Sequence, residues 1–269
     1  MRTLTRTPRR RAFAGLLGLA IATASTGQAA AEANRLTERE RAEGWQLLWD
    51  GATSAGWRSV KSDEFPKEGW PMRDGVLSVR AGSGEESRGG GDIITRKRYA
   101  DFELSVEFKF APGANSGLKI FVQPNISPVD RITGKPTGTG SAIGMEFQIL
   151  DDSLHPDARQ GRDGNRTLGS FYDVMAAPQT KSVQPAGEWN HARIVALGKH
   201  VTFWLNGQKT VEFDRGSPAF RAAVAASKFK DIPGFGEWED GHILLQDHGD
   251  EVAFRNLKLR ELSKVEAGT

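Results

Sequence analysis

The chain has 269 residues, no cysteine and a formal net charge of +2. Residues 1–31 hold five Arg and no acidic residue, so removing those five charges from +2 leaves −3 for the remainder. Disulfide-stapled scaffolds are therefore excluded, and the remainder lacks the basic surplus typical of nucleic-acid-binding proteins.

The first 31 residues have the pattern of an export signal. Three arginines, Arg9 to Arg11, precede an apolar run over 12–24, and Ala29-Ala30-Ala31 offers small residues for cleavage. The run is too short for a permanent transmembrane helix. Arg10-Arg11-Ala12-Phe13 resembles a twin-arginine signal, with Arg9 in place of the usual Ser or Thr. We predict a signal peptide over 1–31 and a periplasmic or extracellular protein without a stable membrane span; a retained membrane anchor is the alternative.

Strand-sized segments separated by turn residues fill the rest of the chain. Strict alternation is clearest over Phe102–Phe110. Asp74-Gly75 and Asn206-Gly207 predict hairpin turns, because such turns need positive φ at both central residues. The predicted strands are Trp45–Trp49, Trp70–Met72, Val76–Arg80, Asp92–Thr95, Phe102–Phe110, Gly117–Val122, Met145–Leu150, Gly169–Val174, Asn190–Leu197, His200–Leu205, Gln208–Asp214, His242–Gln246 and Val252–Leu259.

Helix signals occur at only two places. A charged stretch over 32–41 predicts a short leading helix that ends near Gly44. Ser217-Pro218, followed by good helix formers, predicts a short helical insertion near 217–228. With no repeat or linker in view, residues 44–262 are predicted to form one all-β domain, a two-sheet β-sandwich.

The segment from Gly144 to Asp152 is the centre of the predicted site. Met145, Phe147 and Ile149 alternate with Glu146 and Gln148, which indicates a strand with one apolar and one polar face. A carboxylate in the middle of a strand must be paired or solvated. Long polar segments flank the strand at 123–142 and 151–168, and they favour a cleft over an ordinary exposed face.

Three further segments carry polar side chains suited to the same cleft. Asn115 and Lys119 share one strand face, as do Gln246 and His248, and three glycines deliver Asp92 to a strand start. Each alone is typical of a solvated sheet face. Together they supply a base, a cation and amide groups, the parts needed for proton abstraction beside a carbonyl.

A metal site is the alternative for one loop. Asp151, Asp152, His155 and Asp157 could offer oxygen and imidazole ligands to a divalent ion. The spacing lacks a calcium-loop pattern, and Asp-rich loops are more often turns, so no metal is assigned. The remaining histidines, His191, His200 and His242, are interpreted as structural.

Five motifs carry a resemblance to a known family, in order and spacing, over Gly44 to Leu262. They are Asn115-Ser116-Gly117, Met145-Glu146-Phe147-Gln148-Ile149-Leu150-Asp151, Gly187-Glu188-Trp189-Asn190, Trp204-Leu205-Asn206-Gly207 and Leu245-Gln246-Asp247-His248-Gly249. The chain resembles the 3-keto-disaccharide hydrolase family. The resemblance implies a concanavalin A-like jelly roll that acts on glycosides already oxidised to a ketone at C3, as a hydrolase or a 1,2-lyase.

The chemistry that the resemblance implies leads to hypotheses about the roles of the site residues. A C3 ketone acidifies the C2 proton, so a base can start elimination of the C1 substituent, with or without rehydration. We expect Glu146 or His248 to be the base, and Lys119 and Asn115 to lie near the enolate oxygen. A divalent metal ion is the alternative electrophile. The expected substrate-binding residues are Asn115, Gln148, Gln246, Asp92 and Tyr172.

Two alternatives come from the same fold. Retaining glucanases of this fold carry Glu-x-Asp-x-x-Glu, whereas this chain has Glu146, Gln148 and Asp151 at the comparable positions, which argues against a two-carboxylate double displacement. A non-catalytic sugar-binding module would need aromatic platforms. Trp57, Trp70 and Trp238 are the candidates, and core packing is the favoured interpretation of all three.

Overall fold

A computed structural model describes residues 33–82 and 89–263, so the predicted signal peptide lies outside the described residues. The helices are α1 (Glu38–Ala42), a 3-10 turn (Pro156–Arg159) and α2 (Pro218–Ala225). The strands are β1 (Gln46–Leu47), β2 (Trp57–Ser59), β3 (Met72–Arg73), β4 (Val76–Ser78), β5 (Ile93–Thr95), β6 (Phe102–Phe110), β7 (Asn115–Ile126), β8 (Ser141–Leu150), β9 (Asn190–Leu197), β10 (His200–Leu205), β11 (Gln208–Asp214), β12 (His242–Leu245) and β13 (Val252–Glu261).

The strands form two antiparallel sheets. The eight-stranded sheet has the order β11-β10-β9-β6-β13-β4-β3, and β1 also pairs with β13. The five-stranded sheet has the order β2-β5-β12-β7-β8, with β8 paired to β7. The predicted all-β, two-sheet jelly-roll sandwich is therefore confirmed. None of the described helices is long and apolar enough to cross a membrane.

The core lies between the sheets and explains the alternation in β8. Met145, Phe147 and Ile149 are fully buried in it. Phe147 packs against Phe108 of β6 and Phe203 of β10, with ring centroids 6.2 and 5.7 Å apart. Because successive strand residues point to opposite faces, Glu146 and Gln148 must lie on the outer face of the five-stranded sheet.

Both hairpin predictions are confirmed by positive φ values, 51° and 71° for Asp74-Gly75 and 49° and 81° for Asn206-Gly207. The helical insertion is present as α2, capped by the Ser217 hydroxyl, which accepts from Phe220 N at 3.1 Å. Phe220 anchors α2 to the core through Phe213, at a ring separation of 5.6 Å.

One predicted strand is wrong, and one observed strand was not predicted. Gly169–Val174 is not a strand, because Gly169 and Asp173 adopt φ values of 75° and 62° that turn the chain. It still follows the free edge of β8, where Tyr172 N donates to Glu146 O at 3.0 Å. The edge strand β2, in contrast, carries too few residues for a periodic signal, and the sequence analysis missed it.

Candidate functional site

A cleft of about 840 Å³ lies on the outer face of the five-stranded sheet. The structure brings all eight predicted catalytic and substrate-binding residues to this cleft: Asp92, Asn115, Lys119, Glu146, Gln148, Tyr172, Gln246 and His248. Glu146 and His248, which the sequence offers as alternative bases, therefore share one cavity. Residues 124–125 and 140–144, at the end of β7 and the start of β8, contribute to its walls, whereas no residue of the polar segment 151–168 lines it.

Glu146 and Lys119 form the floor of the cleft. They are direct cross-strand partners on β8 and β7, and Lys119 Nζ lies 3.7 Å from Glu146 Oε2. Their side chains are only 7% and 11% exposed. The separation is longer than a direct hydrogen bond, so the ammonium and the carboxylate act on each other electrostatically across a small gap.

Two neighbours hold the Glu146 carboxylate in place. The Gln148 amide lies 3.1 Å from Glu146 Oε1 and 3.1 Å from the Ser116 carbonyl oxygen; because both are acceptors, the amide nitrogen faces them and donates. Gly117 provides the space that the carboxylate occupies. A Cβ at position 117 would lie 2.3 Å from Glu146 Oε1, so any other residue there would displace it.

The chain after β12 adds the second titratable group. Gln246 is tied to β7 by two hydrogen bonds: its N donates to Gly117 O at 3.0 Å, and its O accepts from Ser116 Oγ at 2.9 Å. Two residues later His248 lines the cleft. Within the described part of the chain, His248 Nδ1 and Asn115 Oδ1 are buried without a hydrogen-bond partner. Such atoms are destabilising unless a ligand bonds them, so both suit substrate contacts.

Asp247 builds the cleft without lining it, and sequence analysis missed this role. Its fully buried carboxylate accepts from Gly90 N at 2.7 Å, Gly91 N at 2.8 Å and Gly249 N at 3.0 Å. Its own N donates to Asp92 Oδ1 at 2.9 Å. The three glycines thus wrap a buried anion with their amide groups, and this fixes where Asp92 enters the site. The only sequence signal for this role of Asp247 is its position between the two cleft residues Gln246 and His248.

Tyr172 presents its ring to the cleft, while its hydroxyl faces a charged network. The hydroxyl donates to Asp157 Oδ2 at 2.8 Å. Arg166 links Asp157 to Asp173, with N–O distances of 2.8 and 2.7 Å. Burial and the bond to Asp157 raise the pKa of Tyr172 well above its ordinary value. The phenol therefore stays protonated and serves as a rigid wall.

Lys228 is a cleft residue that the sequence analysis did not select. It follows α2, and its Nζ lies 4.1 Å from the centroid of the Tyr172 ring. Its backbone N donates to Asp173 Oδ2 at 2.7 Å, so the Arg166 network also positions this lysine. An isolated Lys in a loop carries no periodic signal, and only the tertiary fold reveals it.

The metal candidates have protein partners. Asp151 accepts from Gly113 N at 2.8 Å and Ser153 N at 2.9 Å, and Asp152 accepts from Leu168 N and pairs with Lys181 Nζ at 2.9 Å. His155 Nδ1 accepts from Asp157 N at 3.2 Å. Over 33–82 and 89–263, no three His, Asp or Glu side chains are grouped to hold a metal ion. These contacts match an Asp-rich turn.

The remaining histidines are structural, as expected. His191 Nε2 bonds Ser105 Oγ at 2.8 Å, His200 lies 2.9 Å from Asp214, and His242 Nδ1 bonds Thr95 O at 2.7 Å.

The tryptophan platforms are absent from the cleft. Trp57 and Trp70 are buried in the core, where their indole N–H groups donate to Leu48 O and Gly91 O. Trp238 is half-buried, edge-on to Phe235 at 6.1 Å. None of the three lines the cleft.

Comparison with known proteins links the chain to a family. Residues 44–260 match the family model described as the 3-keto-alpha-glucoside-1,2-lyase-like domain. The chain is 32% identical over 246 residues to the 3-keto-disaccharide hydrolase of Bacteroides thetaiotaomicron. The aligned region covers 87% of this chain and 83% of that protein.

Two crystal structures from Parabacteroides distasonis, provisionally named glycosyl hydrolases, are also similar. One is 30% identical with a TM-score of 0.68 and covers 86% of this chain and 100% of its own. The other is 29% identical with a TM-score of 0.57 and covers 81% of this chain and 99% of its own.

Proposed function

The chain belongs to the 3-keto-alpha-glucoside-1,2-lyase-like family, and on that premise we propose that it cleaves glycosides that carry a ketone at C3. The reaction begins with removal of the C2 proton and proceeds by elimination of the C1 substituent. Water adds to the unsaturated sugar when the net result is hydrolysis.

The Glu146–Lys119 pair supports this chemistry most directly. The C2 hydrogen and the C3 oxygen sit on adjacent carbons, so a base and a cation a few ångströms apart can address both at once. Glu146 Oε2 and Lys119 Nζ are 3.7 Å apart on a buried floor. Glu146 takes the C2 proton, and Lys119 stabilises the negative charge that develops on the C3 oxygen.

The other cleft residues bind the sugar. Asn115 Oδ1 and His248 Nδ1 face hydroxyl groups or the water that adds to C1, since both atoms are buried without a partner in the described chain. Gln148 holds the Glu146 carboxylate, Gln246 lines the cleft beside it, and Asp92, next to Gln246 across the β5–β12 pair, accepts hydrogen bonds from sugar hydroxyls.

A retaining glucanase mechanism fits this cleft poorly. It needs two carboxylates flanking one bond. Asp151, the second acid of the comparable pattern, does not line the cleft, and its oxygens accept backbone bonds from Gly113 and Ser153. A lectin-like site would need aromatic platforms, and Trp57 and Trp70 cannot provide them because both are core residues.

Aglycone release from a 3-keto glucoside and from the matching unoxidised glucoside tests the proposal. We expect turnover of the 3-keto compound alone. Cleavage of both would indicate an ordinary glycosidase, and binding without turnover a lectin-like module.

Variants then test the site. Glu146→Gln keeps the shape of the side chain and should lower the rate by about 10²–10⁴-fold. Exposed Glu239→Gln is the matched control and should retain activity. Full activity of both Glu146→Gln and His248→Ala, in folded protein, would refute the site.

We also propose that the protein is exported by way of residues 1–31. The arginines, the apolar run and the alanine cleavage positions support this.

A further inference from the structure

Lys228 reaches the cleft from outside the sheet. Asn115, Lys119, Glu146 and Gln246 stand on or directly beside the strands of the floor, whereas Lys228 follows α2 and belongs to a wall. A ring bound with its C2 and C3 against the floor therefore has a second positively charged group beside it. The proposed roles of Glu146 and Lys119 give this second positive charge no function.

Two contacts position Lys228, one through its backbone and one through its ammonium. Its backbone N is anchored by Asp173 Oδ2 at 2.7 Å, and its Nζ lies over the Tyr172 ring at 4.1 Å. Tyr172 is itself held by Asp157 through its hydroxyl and by Glu146 through its backbone N. The backbone of Lys228 is therefore anchored through Asp173, and its ammonium lies over a ring whose residue is hydrogen-bonded to β8, the strand that carries the proposed base.

The surroundings of Lys228 make it a better acid than an ordinary lysine. Although part of the side chain is exposed, burial of the ammonium lowers its pKa, and the charges of Lys119 and Arg166 act in the same direction. The carboxylates of Glu146 and Asp173 act in the opposite direction. A general acid works best when its pKa lies close to the working pH.

Resting on the proposed function, we infer that Lys228 is the general acid that protonates the departing glycosidic oxygen. Glu146 removes the C2 proton, and the C2–H electron pair forms the C2=C3 bond of an enolate whose oxygen faces Lys119. The enolate then restores the C3 carbonyl and forms C1=C2, and the C1–O bond breaks. Its electron pair leaves with the oxygen, which takes a proton from the Lys228 ammonium. Solvent later returns a proton to Lys228 and removes the one on Glu146.

The test compares two 3-keto glucosides that differ only in how much their leaving group needs a proton. The 4-nitrophenolate anion leaves without help, whereas an alkoxide such as that of methanol does not. In Lys228→Met, release of methanol should fall by about 10²–10⁴-fold, and release of 4-nitrophenol should change by less than about tenfold. Lys228→Arg should be equally defective on the methyl glycoside, because a guanidinium keeps the charge but does not give up its proton.

Exchange of the C2 hydrogen with solvent deuterium distinguishes removal of the C2 proton from departure of the leaving group. In deuterium oxide, Lys228→Met should still exchange the C2 hydrogen of the methyl glycoside while methanol release fails, because removal of the C2 proton precedes departure. Exposed Lys230→Met, in the same segment, is the matched control and should behave as the wild type. Thermal melting establishes that each variant is folded.

Three outcomes would overturn the inference. Equal losses on both glycosides would make Lys228 a binding residue, as would recovery of activity in Lys228→Arg. Loss of C2 exchange in Lys228→Met would place it in the first step. An inactive wild type on every 3-keto glycoside would refute the proposed function itself, which is a distinct result.

Discussion

Replacing Gly117 by Ala should move the proposed base without unfolding the protein. The new Cβ would lie 2.3 Å from Glu146 Oε1 and 2.8 Å from Cδ, both closer than the 3.0 Å that real Cβ atoms keep. The oxygen must therefore retreat by at least about 0.7 Å, and by about 1 Å to reach ordinary contact. A misplacement of about 1 Å in a reacting group lowers a rate by about 10²-fold.

Stability should barely change in this variant. The clashing atoms are the end of a flexible side chain, so the strain stays at the low end of the overpacking range, about 1 kcal/mol. Replacing a strand glycine by alanine offsets about 0.5–1 kcal/mol of that strain through the lower entropy of the unfolded chain. The fold should survive while catalysis suffers.

The assay is kcat/KM on a 3-keto glucoside together with the free energy of unfolding in urea. Gly138→Ala is the matched control, since its Cβ would meet nothing closer than Pro128 Cγ at 3.4 Å. We expect an about 10²-fold loss for Gly117→Ala and none for Gly138→Ala. Wild-type activity in a folded Gly117→Ala protein would refute the claim that Glu146 must hold its observed position.

Three further predictions concern the frame of the site and the N-terminal segment. Asp247→Asn should lower the free energy of unfolding by about 2–3 kcal/mol and reduce activity, because a buried anion that accepts three backbone N–H bonds is lost; unchanged urea midpoints would contradict this. Stability should be lower at pH 5.5 than at pH 7.5, because the unfolded chain takes up protons at histidines that the folded chain keeps neutral; an equal or higher free energy of unfolding at pH 5.5 would contradict this. Burial lowers the pKa of His155, His191 and His242 below 6.5, and the opposite shift at half-exposed His200 is screened by solvent. N-terminal sequencing of the exported protein should give a start near residue 32, and an intact Met1 in an exported protein would exclude cleavage.

The fold was predictable where the alternation is long. Phe102–Phe110, Asn190–Leu197, His200–Leu205 and Gln208–Asp214 have the predicted bounds, because one face of each strand packs in the core and the other does not. Short edge strands such as Trp57–Ser59 are too short to show this period. Gly169–Val174 has the residue pattern of a strand, but positive φ values at Gly169 and Asp173 turn the chain there.

The floor of the cleft was predictable for the same reason. Lys119 and Glu146 occupy polar positions within apolar alternation, so their face follows from the strand period. Lys228 and Asp247 were not predictable in this way. Lys228 comes from a loop after α2, and Asp247 acts on backbone amides more than 150 residues earlier in the chain. Contacts of that kind depend on how the loops close over the sheet, which no local pattern encodes.

The hydrogen at C2 of the sugar provides the most direct measurement. A 3-keto glycoside is incubated with the protein in deuterium oxide, and the sugar product is examined by NMR beside an enzyme-free control. Elimination alone predicts an unsaturated sugar with no hydrogen at C2, and elimination followed by rehydration predicts deuterium at C2 of every product molecule. In either case Glu146→Gln should suppress both loss of the C2 hydrogen and aglycone release. A product that keeps its original C2 hydrogen would show that the C1–O bond breaks without proton abstraction, and would contradict the role given to the Glu146–Lys119 pair.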